Sequence, residues 1–278
     1  MHAPRPRILL LTALAMLAFA GNSLLCRLAL KTTAIDAASF TGVRLASGAL
    51  VLWLIVRQRG ERPLGSWGSA LALFAYAAGF SYAYLALPAG TGALLLFGAV
   101  QATMIGRGLW SGERLDARQT GGLLLALGGL VALLLPGLQA PPPWGSALMI
   151  GAGIAWGVYS LRGRQGGDPT CATAGNFLRA VPFGLGLWVL GMGQWAWDVP
   201  GLLYAVASGA LTSGLGYAIW YTALPGLKAT AAATVQLSVP VLAALGGSVL
   251  LGEALTLRLV AAAAAVLGGI ALVILRKR

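Results

Sequence analysis

The chain alternates between apolar runs of roughly twenty residues and short separators that carry turn-forming or charged residues. About 20 residues of α-helix cross the roughly 30 Å hydrocarbon core of a bilayer, so each run is long enough for one crossing. The pattern predicts an all-α membrane protein with ten transmembrane helices. The predicted spans are 8–30, 36–56, 65–87, 90–106, 117–136, 144–162, 171–192, 199–223, 229–251 and 256–275.

The first apolar run has a rival interpretation. Arg5 and Arg7, the apolar stretch after them and the small residues of Ala18-Phe19-Ala20 are also typical of a cleavable signal peptide. The apolar pattern, however, continues past Ala20 to Leu30, and the run has a counterpart in the second half of the chain. We therefore expect a retained first helix.

Composition excludes a soluble protein. The chain is 58% hydrophobic and 9% charged, whereas about 25% of the residues in soluble domains are charged. The net charge of +12 could suggest nucleic acid, but such binding requires basic residues gathered on one face or stripe. Here they form short clusters between the apolar runs, as the positive-inside rule describes for cytoplasmic loops. We expect a lipid bilayer around the protein and no nucleic-acid partner.

The basic residues also predict the orientation. With the N-terminus inside, fourteen of the 19 lie in or beside cytoplasmic segments, and three (Arg27, Lys31 and Arg258) lie in or beside outside ones. The remaining two, Arg44 and Arg179, lie within predicted spans. This bias predicts that both termini face the cytoplasm.

Residue types that commonly carry cofactor chemistry are scarce. The single histidine, His2, is near the N-terminus, and the two cysteines, Cys26 and Cys171, form neither a redox motif nor a disulfide framework. We expect no metal, no cofactor and no enzymatic activity. An integral membrane transferase is the less favoured alternative, because it usually needs histidine or clustered aspartates with a metal.

The two halves of the chain resemble each other. Residues 84–88 (YLALP) close the third run and residues 221–225 (YTALP) close the eighth, while Arg44 and Arg179 occupy equal positions in the second and seventh runs. Each half has an odd number of predicted spans, so the second half must insert in the opposite orientation. Such inverted repeats are typical of secondary transporters, with the substrate near the midplane. We predict two units, residues 1–138 and 144–278.

These residues carry a family resemblance. The segment from Ala229 to Glu253, with Pro240 thirteen residues before Glu253 and Gly268-Gly269 after it, resembles the EamA repeat of the drug/metabolite transporter superfamily. Within that superfamily the chain is similar to YddG-type exporters of aromatic amino acids and metabolites. The resemblance implies ten helices around a central cavity, export of small organic solutes, and a bacterial inner membrane.

The first unit departs from the family pattern at one position. It has Val100 where the second unit has Pro240, with Gln101 beside it. Whether the fourth helix bends like the ninth is therefore open. We interpret Pro240 as a hinge, because proline removes a helical hydrogen bond.

Charged residues inside a membrane are candidates for function. All seven acidic residues fall at predicted span ends or in loops, so no intramembrane carboxylate is available to carry a proton. This favours facilitated diffusion over proton antiport. Arg44 and Arg179 are candidates for binding a substrate carboxylate, but their equal placement in the two units favours a structural role.

Polar and aromatic residues near the midplane complete the candidate site. Gln101 and Gln236 each lack a polar counterpart in the other unit, and a buried amide suits either substrate binding or an interhelical hydrogen bond. Aromatic faces suit planar ligands, although packing is the simpler interpretation. The predicted substrate-binding residues are Tyr76, Phe80, Tyr82, Gln101, Trp156, Tyr159, Tyr217 and Gln236.

The preferred function is an alternating-access exporter of amino acids, aromatic ones among them, and related metabolites, acting as a monomer on a small-molecule substrate. A multidrug or nucleotide-sugar carrier of the same superfamily is the alternative. A carrier of cationic drugs is expected to have an acidic residue within the membrane, and a carrier of nucleotide sugars is expected to have several basic residues facing its cavity. The sequence has no acidic residue well inside a predicted span, and the basic residues within spans are Arg44 and Arg179.

Overall fold

The computed structural model describes residues 5–112, 114–137, 139–163, 168–191, 195–227 and 235–274, and every regular element among them is helical. Glu113 and the start of the predicted ninth span, including Ala229, lie outside these residues. The helices are α1 (Arg5–Thr32), α2 (Ala37–Gln58), α3 (Trp67–Tyr84), α4 (Ala89–Trp110), α5 (Ala117–Leu134), α6 (Pro143–Arg162), α7 (Pro169–Leu190), α8 (Val199–Ala207), α9 (Gly216–Ala223), α10 (Ser238–Leu251) and α11 (Leu257–Ile274).

Seven helical segments of the described residues are long and apolar enough to cross a membrane. α3 and α7 are not among them: α3 contains three tyrosines and two serines, and α7 contains an asparagine and an arginine. α10 is apolar but shorter. The all-helical prediction is confirmed within these residues, while the count of ten crossings stays a prediction. The seven are Pro6–Thr32, Ala37–Gln58, Ala89–Trp110, Ala117–Leu134, Pro143–Arg162, Val199–Gly226 and Leu257–Ile274.

Acidic residues at the span ends are helix caps. Asp36, Asp116, Asp168 and Asp198 each accept hydrogen bonds from backbone N–H groups in the first turn of the helix that follows. The first N–H groups of a helix have no partner within it, and a carboxylate there also complements the positive end of the helix dipole. These four acids therefore serve to begin α2, α5, α7 and α8.

Apolar side chains both fill the core and cover the outer surface. Phe40, Leu52 and Phe80 are fully buried between helices, whereas Leu190 and Val249 are more than four-fifths exposed. A soluble protein rarely exposes so much contiguous apolar surface. The exposed face is suited to lipid.

The helices pack in pairs across the two predicted units. α2 packs on α7, α5 on α11, and α4 on both α6 and α10. α3 packs on α6, and α1 packs on the rod formed by α8, a π-helical segment (Ser208–Leu215) and α9. These contacts bring α1, α3, α4, α6 and the rod around one centre.

The fourth and ninth runs differ in backbone. α4 is continuous past Val100, whereas the helical conformation is interrupted at Leu237, shortly before Pro240. Pro240 lies in the first turn of α10, and its missing N–H removes a bond to the carbonyl of Gln236. The fourth helix therefore has no interruption at Val100, the position that corresponds to Pro240.

Candidate functional site

A narrow central cavity of about 30 Å³, room for about one water molecule, lies between the two predicted units. It is bounded by α1, α3 and α4 of the first predicted unit, and by α6, the rod and Gln236 of the second. Five predicted site residues line it together with six that were not predicted. The lining residues are Phe19, Asn22, Ser23, Tyr76, Phe80, Leu96, Phe97, Trp156, Thr212, Tyr217 and Gln236.

Aromatic rings in contact form most of the wall. The ring centroid of Tyr76 is 4.8 Å from that of Trp156 and 5.3 Å from that of Phe80, and Trp156 is 5.2 Å from Tyr217. Phe19 adds an edge contact to Tyr217 at 5.8 Å. Because aromatic rings present broad, rigid contact area, this wall suits an apolar or planar group of a solute.

Three predicted site residues lie elsewhere. Tyr159 stacks on Trp156 at 5.2 Å, behind the wall, where its hydroxyl accepts a hydrogen bond from Asn176. Tyr82 is half-buried on α3 and outside the cavity lining. Gln101 lines a separate pocket of about 10 Å³ between α4, α5 and α11. Their roles in substrate binding stay predictions.

A buried polar network on the cavity wall was not predicted. Asn22 donates from Nδ2 to the Tyr76 hydroxyl at 3.1 Å, and its Oδ1 accepts from Ser208 at 2.7 Å and from Thr212 at 3.3 Å. Ser208 and Thr212 belong to the π-helical segment, a backbone form that is frequent at functional sites. An amide in the middle of the first apolar run was the signal in the sequence that could have indicated this network.

Arg44 lies directly behind the cavity wall and is 1% exposed. Its Nη2 donates to the Tyr76 hydroxyl at 2.9 Å and its Nε to Ser213 at 3.4 Å. Its Cζ is 5.1 Å from the ring centroid of Tyr76 and 4.9 Å from that of Phe80. Its Nη1 has no hydrogen-bond partner among the described residues.

Arg179, the counterpart of Arg44, has a different environment. It is half-buried, and its Nη1 donates to the carbonyls of Leu64 and Gly175, both at 2.9 Å. The guanidinium therefore ties the segment before α3 to α7. The structure does not bring Arg179 to the central cavity.

The six acidic residues of the described part of the chain are all engaged away from the cavity. Four are the caps described above; Glu61 accepts a hydrogen bond from the Cys171 thiol at 2.7 Å. Glu253 pairs with Arg27 at 2.9 Å and accepts from the N–H of Ala89 at 2.7 Å. Arg44 consequently has no carboxylate partner among these residues.

One cluster offers metal-ligand chemistry by residue type. The ligand atoms of Glu61, Asp168 and Cys171 lie within 4.8 Å of one another, but Cys171 already donates to Glu61, and Asp168 lies 3.9 Å from Arg59. Burial would raise the pKa of Asp168, but hydrogen bonds from Cys171 and Thr170 and the nearby Arg59 outweigh it and lower that pKa. The geometry is that of a capped helix start with a surface ion pair.

A largely buried ion pair between Arg27, near the end of α1, and Glu253, after α10, joins these helices. Arg27 of α1, besides pairing with Glu253, donates to the carbonyls of Tyr84 at 2.8 Å and Leu85 at 3.1 Å. Glu253 follows α10 and binds the start of α4 through Ala89. Helices of both units are therefore held together at this end, above the cavity.

Comparisons with known proteins agree with this architecture. The chain matches the EamA-like transporter family over residues 143–275. An uncharacterized Pseudomonas aeruginosa protein is 62% identical over 274 residues, covering 98% of this chain and 96% of that protein. An uncharacterized transporter of Archaeoglobus fulgidus is 29% identical, covering 85% and 86%.

Two further similarities are more limited. The threonine/homoserine exporter RhtA of Escherichia coli is 35% identical over 116 residues, which cover 40% of this chain and 39% of RhtA. A crystal structure with a TM-score of 0.67 is 20% identical and covers 97% of this chain, which shows a shared fold. The match of residues 143–275 to the EamA-like transporter family and the relatives that are named as transporters support membership of the drug/metabolite transporter superfamily.

Proposed function

We propose that the protein is a ten-span exporter of two inverted five-helix units, residues 1–138 and 144–278, in a bacterial inner membrane with both termini in the cytoplasm. The packing supports this arrangement. α2 on α7, α4 on α10 and α5 on α11 each join equivalent runs of the two units. The contact of α3 with α6 is matched by that of the rod with α1, as a pseudo-two-fold axis requires.

The observation that carries the function is the composition of the cavity wall. The first, third and fourth runs line the cavity together with their counterparts, the sixth, eighth and ninth. A solute bound there touches both units, so a rocking movement of one against the other transfers it between the two sides of the membrane. Solute sites of transporters of this kind lie at such interfaces.

The structure has the dimensions of a closed state. Ligand pockets usually measure about 300–1,000 Å³, whereas the cavity measures about 30 Å³. Admission of a solute therefore requires the surrounding helices to separate. The break at Leu237 before Pro240 supplies a hinge, and the Arg27–Glu253 pair is a contact that must open on one side.

The proposed substrates are amino acids, with aromatic ones favoured by the rings of the wall, and related metabolites. The similarity to a threonine/homoserine exporter supports the amino-acid class. Gln236 lines the cavity and supplies an amide for a polar group of the solute. We keep Gln101, Tyr82 and Tyr159 as proposed contributors that act in a more open state.

Transport is proposed to be facilitated diffusion by a monomer. Each acidic residue of the described part of the chain is engaged away from the cavity, as a helix cap, in an ion pair or, for Glu61, in a hydrogen bond with Cys171. A proton-coupled cycle needs a group that binds and releases the proton from alternate sides. Uphill solute accumulation driven by a pH gradient alone would contradict this proposal.

The experiment is a flux assay in proteoliposomes with L-phenylalanine, L-tryptophan, L-threonine and L-homoserine, with and without a pH gradient. We expect flux of at least one aromatic amino acid, unchanged by the gradient. Trp156→Ala should lower this flux about tenfold, whereas Trp110→Ala should leave it unchanged because Trp110 is 87% exposed at the end of α4. Equal flux in both variants would remove the cavity assignment.

A further inference from the structure

Arg44 is a cation buried inside the helix bundle, and no carboxylate of the described residues compensates it. A buried charge without a partner is strongly unfavourable, and its retention requires a reason. Of the six acids of the described residues, four cap helices, Glu253 pairs with Arg27, and Glu61 accepts a hydrogen bond from Cys171. The counter-charge of Arg44 is therefore absent from this part of the chain.

Two hydrogen-bond donors at this place also have no acceptor within the part of the chain that the structure describes. Nη1 of Arg44 makes no hydrogen bond within the described residues. The Tyr76 hydroxyl already accepts from Asn22 and from Arg44, which uses both of its lone pairs and leaves its own hydrogen to donate. A guanidinium edge and a phenol hydroxyl side by side form a donor set for a carboxylate.

The position of Arg44 connects this donor set to the transport path. Two of the rings that cover the guanidinium, Tyr76 and Phe80, are themselves cavity walls. The cavity must enlarge to admit a solute, and a displacement of either ring opens the guanidinium to the cavity. In the closed state the cation is thus shielded, and in the loaded state it meets the solute.

The described cavity lining offers no carboxylate to pair with a substrate ammonium. It contains aromatic rings, hydroxyls, two amides and a leucine, and no carboxylate. An ammonium near an uncompensated guanidinium is repelled rather than attracted. The electrostatics therefore distinguish the two charged ends of an amino acid.

We infer that Arg44, with the Tyr76 hydroxyl, is the carboxylate receptor of the transport site, and that the solute needs a carboxylate but not an amine. The substrate class then extends from aromatic amino acids to amine-free aromatic monocarboxylates and excludes the corresponding amines. This inference rests on the proposed function and adds to it the group that determines selectivity.

Three probes that share one phenyl ring separate the alternatives: L-phenylalanine, 3-phenylpropionate without the amine, and phenethylamine without the carboxylate. Binding to the full-length protein in detergent is measured by calorimetry, and flux is measured in proteoliposomes and corrected with protein-free vesicles. We expect the two carboxylates to bind at least about tenfold tighter than phenethylamine, the value of one charge-assisted pair.

Matched variants assign the preference to one side chain. Arg44→Gln should reduce the carboxylate preference to less than about threefold, and Arg44→Lys should retain part of it because the charge remains while the bidentate geometry is lost. Arg179→Gln, the equivalent change in the other unit, should keep the full preference. Fluorescence-detected size exclusion verifies that each variant is folded.

The outcomes separate the inference from the proposed function. Carboxylate binding without flux would leave the receptor standing and remove the exporter. Flux of all three probes at similar rates, or a preference unchanged in Arg44→Gln, would overturn the receptor and leave the exporter. Neither binding nor flux of any probe would overturn both.

Discussion

Arg44 and Arg179 occupy equivalent positions in the two units, yet they are used in different ways. Arg179 is half-buried. Its Nη1 donates to the carbonyl of Gly175 on its own helix and to the carbonyl of Leu64 in the segment before α3. Arg44 is almost fully buried, contacts hydroxyls and rings, and keeps one nitrogen without a partner among the described residues. Of two positions that match in sequence, one thus holds a structural tie and the other holds a cation without a counter-charge among the described residues.

The difference shows how two positions that match in sequence can have different surroundings. In the proposed exporter, a small solute has no two-fold symmetry, so only one of the two matching positions would contact it directly. The same divergence appears in the backbone, since α4 is continuous at Val100 while its counterpart is interrupted before Pro240. Substitutions at and around each arginine test whether the two side chains contribute differently to stability.

The largest effect is expected from Gly175→Ala, on the Arg179 side. A methyl group there would overlap the backbone carbonyl of Leu64, which cannot move without releasing Arg179 as well. We expect a loss of stability above about 3 kcal/mol and little folded protein, since overpacking against backbone finds no relief. Folded yield and the thermal midpoint in detergent measure it. Gly186→Ala on the same helix is the control, because a Cβ there meets no atom within 4 Å, and equal behaviour of the two variants would refute the structural tie.

The second largest effect is expected at Arg27, an arginine that has a carboxylate partner, Glu253. Glu253→Gln should destabilise the protein by about 3 kcal/mol, because it leaves Arg27 without its counter-charge at a site where the two side chains are 12% and 9% exposed. The double variant Arg27→Gln, Glu253→Gln should recover part of this loss. A double-mutant cycle on thermal unfolding measures the coupling. Additive single effects would show that the pair is not a unit.

The smallest expected effects are changes in the free energy of unfolding that have opposite signs for the two arginines. Arg44→Met should raise the free energy of unfolding by about 1 kcal/mol, since an apolar side chain replaces an uncompensated buried cation. Arg179→Met should lower it by about 1 kcal/mol, because two backbone carbonyls lose their donor. Thermal midpoints under one detergent condition provide the comparison. Destabilisation by both variants to the same extent would mean that Arg44 is structural, as its repeat position suggested.

The polar residues show where prediction from sequence reached the site and where it did not. Gln236 and Gln101 looked alike as amides near the midplane, but only Gln236 lines the central cavity. Spacing along a helix gives depth in the membrane, and the direction of a side chain depends in addition on how the helix is rotated against its neighbours. For the same reason Tyr76 and Phe80 line the cavity whereas Tyr82, on the same helix, does not.

Two features of the site depend on tertiary structure for another reason, although Asn22 itself stands out in the sequence as an amide in an apolar run. The network around Asn22 joins α1, α3 and the π-helical segment, and the π-helical register is not encoded in a local pattern that we can recognise. The missing partner of Arg44 depends on where every acid of the described residues ends up, which is a property of the whole packing.

The sequence by itself determined that this chain is a membrane protein, roughly where its apolar helices lie, and which family it resembles, because apolar run length and repeated motifs are local signals. The tertiary structure alone decided which of the paired residues face the centre and which of two equal arginines lacks a counter-charge. Burial and hydrogen-bond satisfaction are set by all the neighbours of a side chain at once, and those neighbours are distant in sequence.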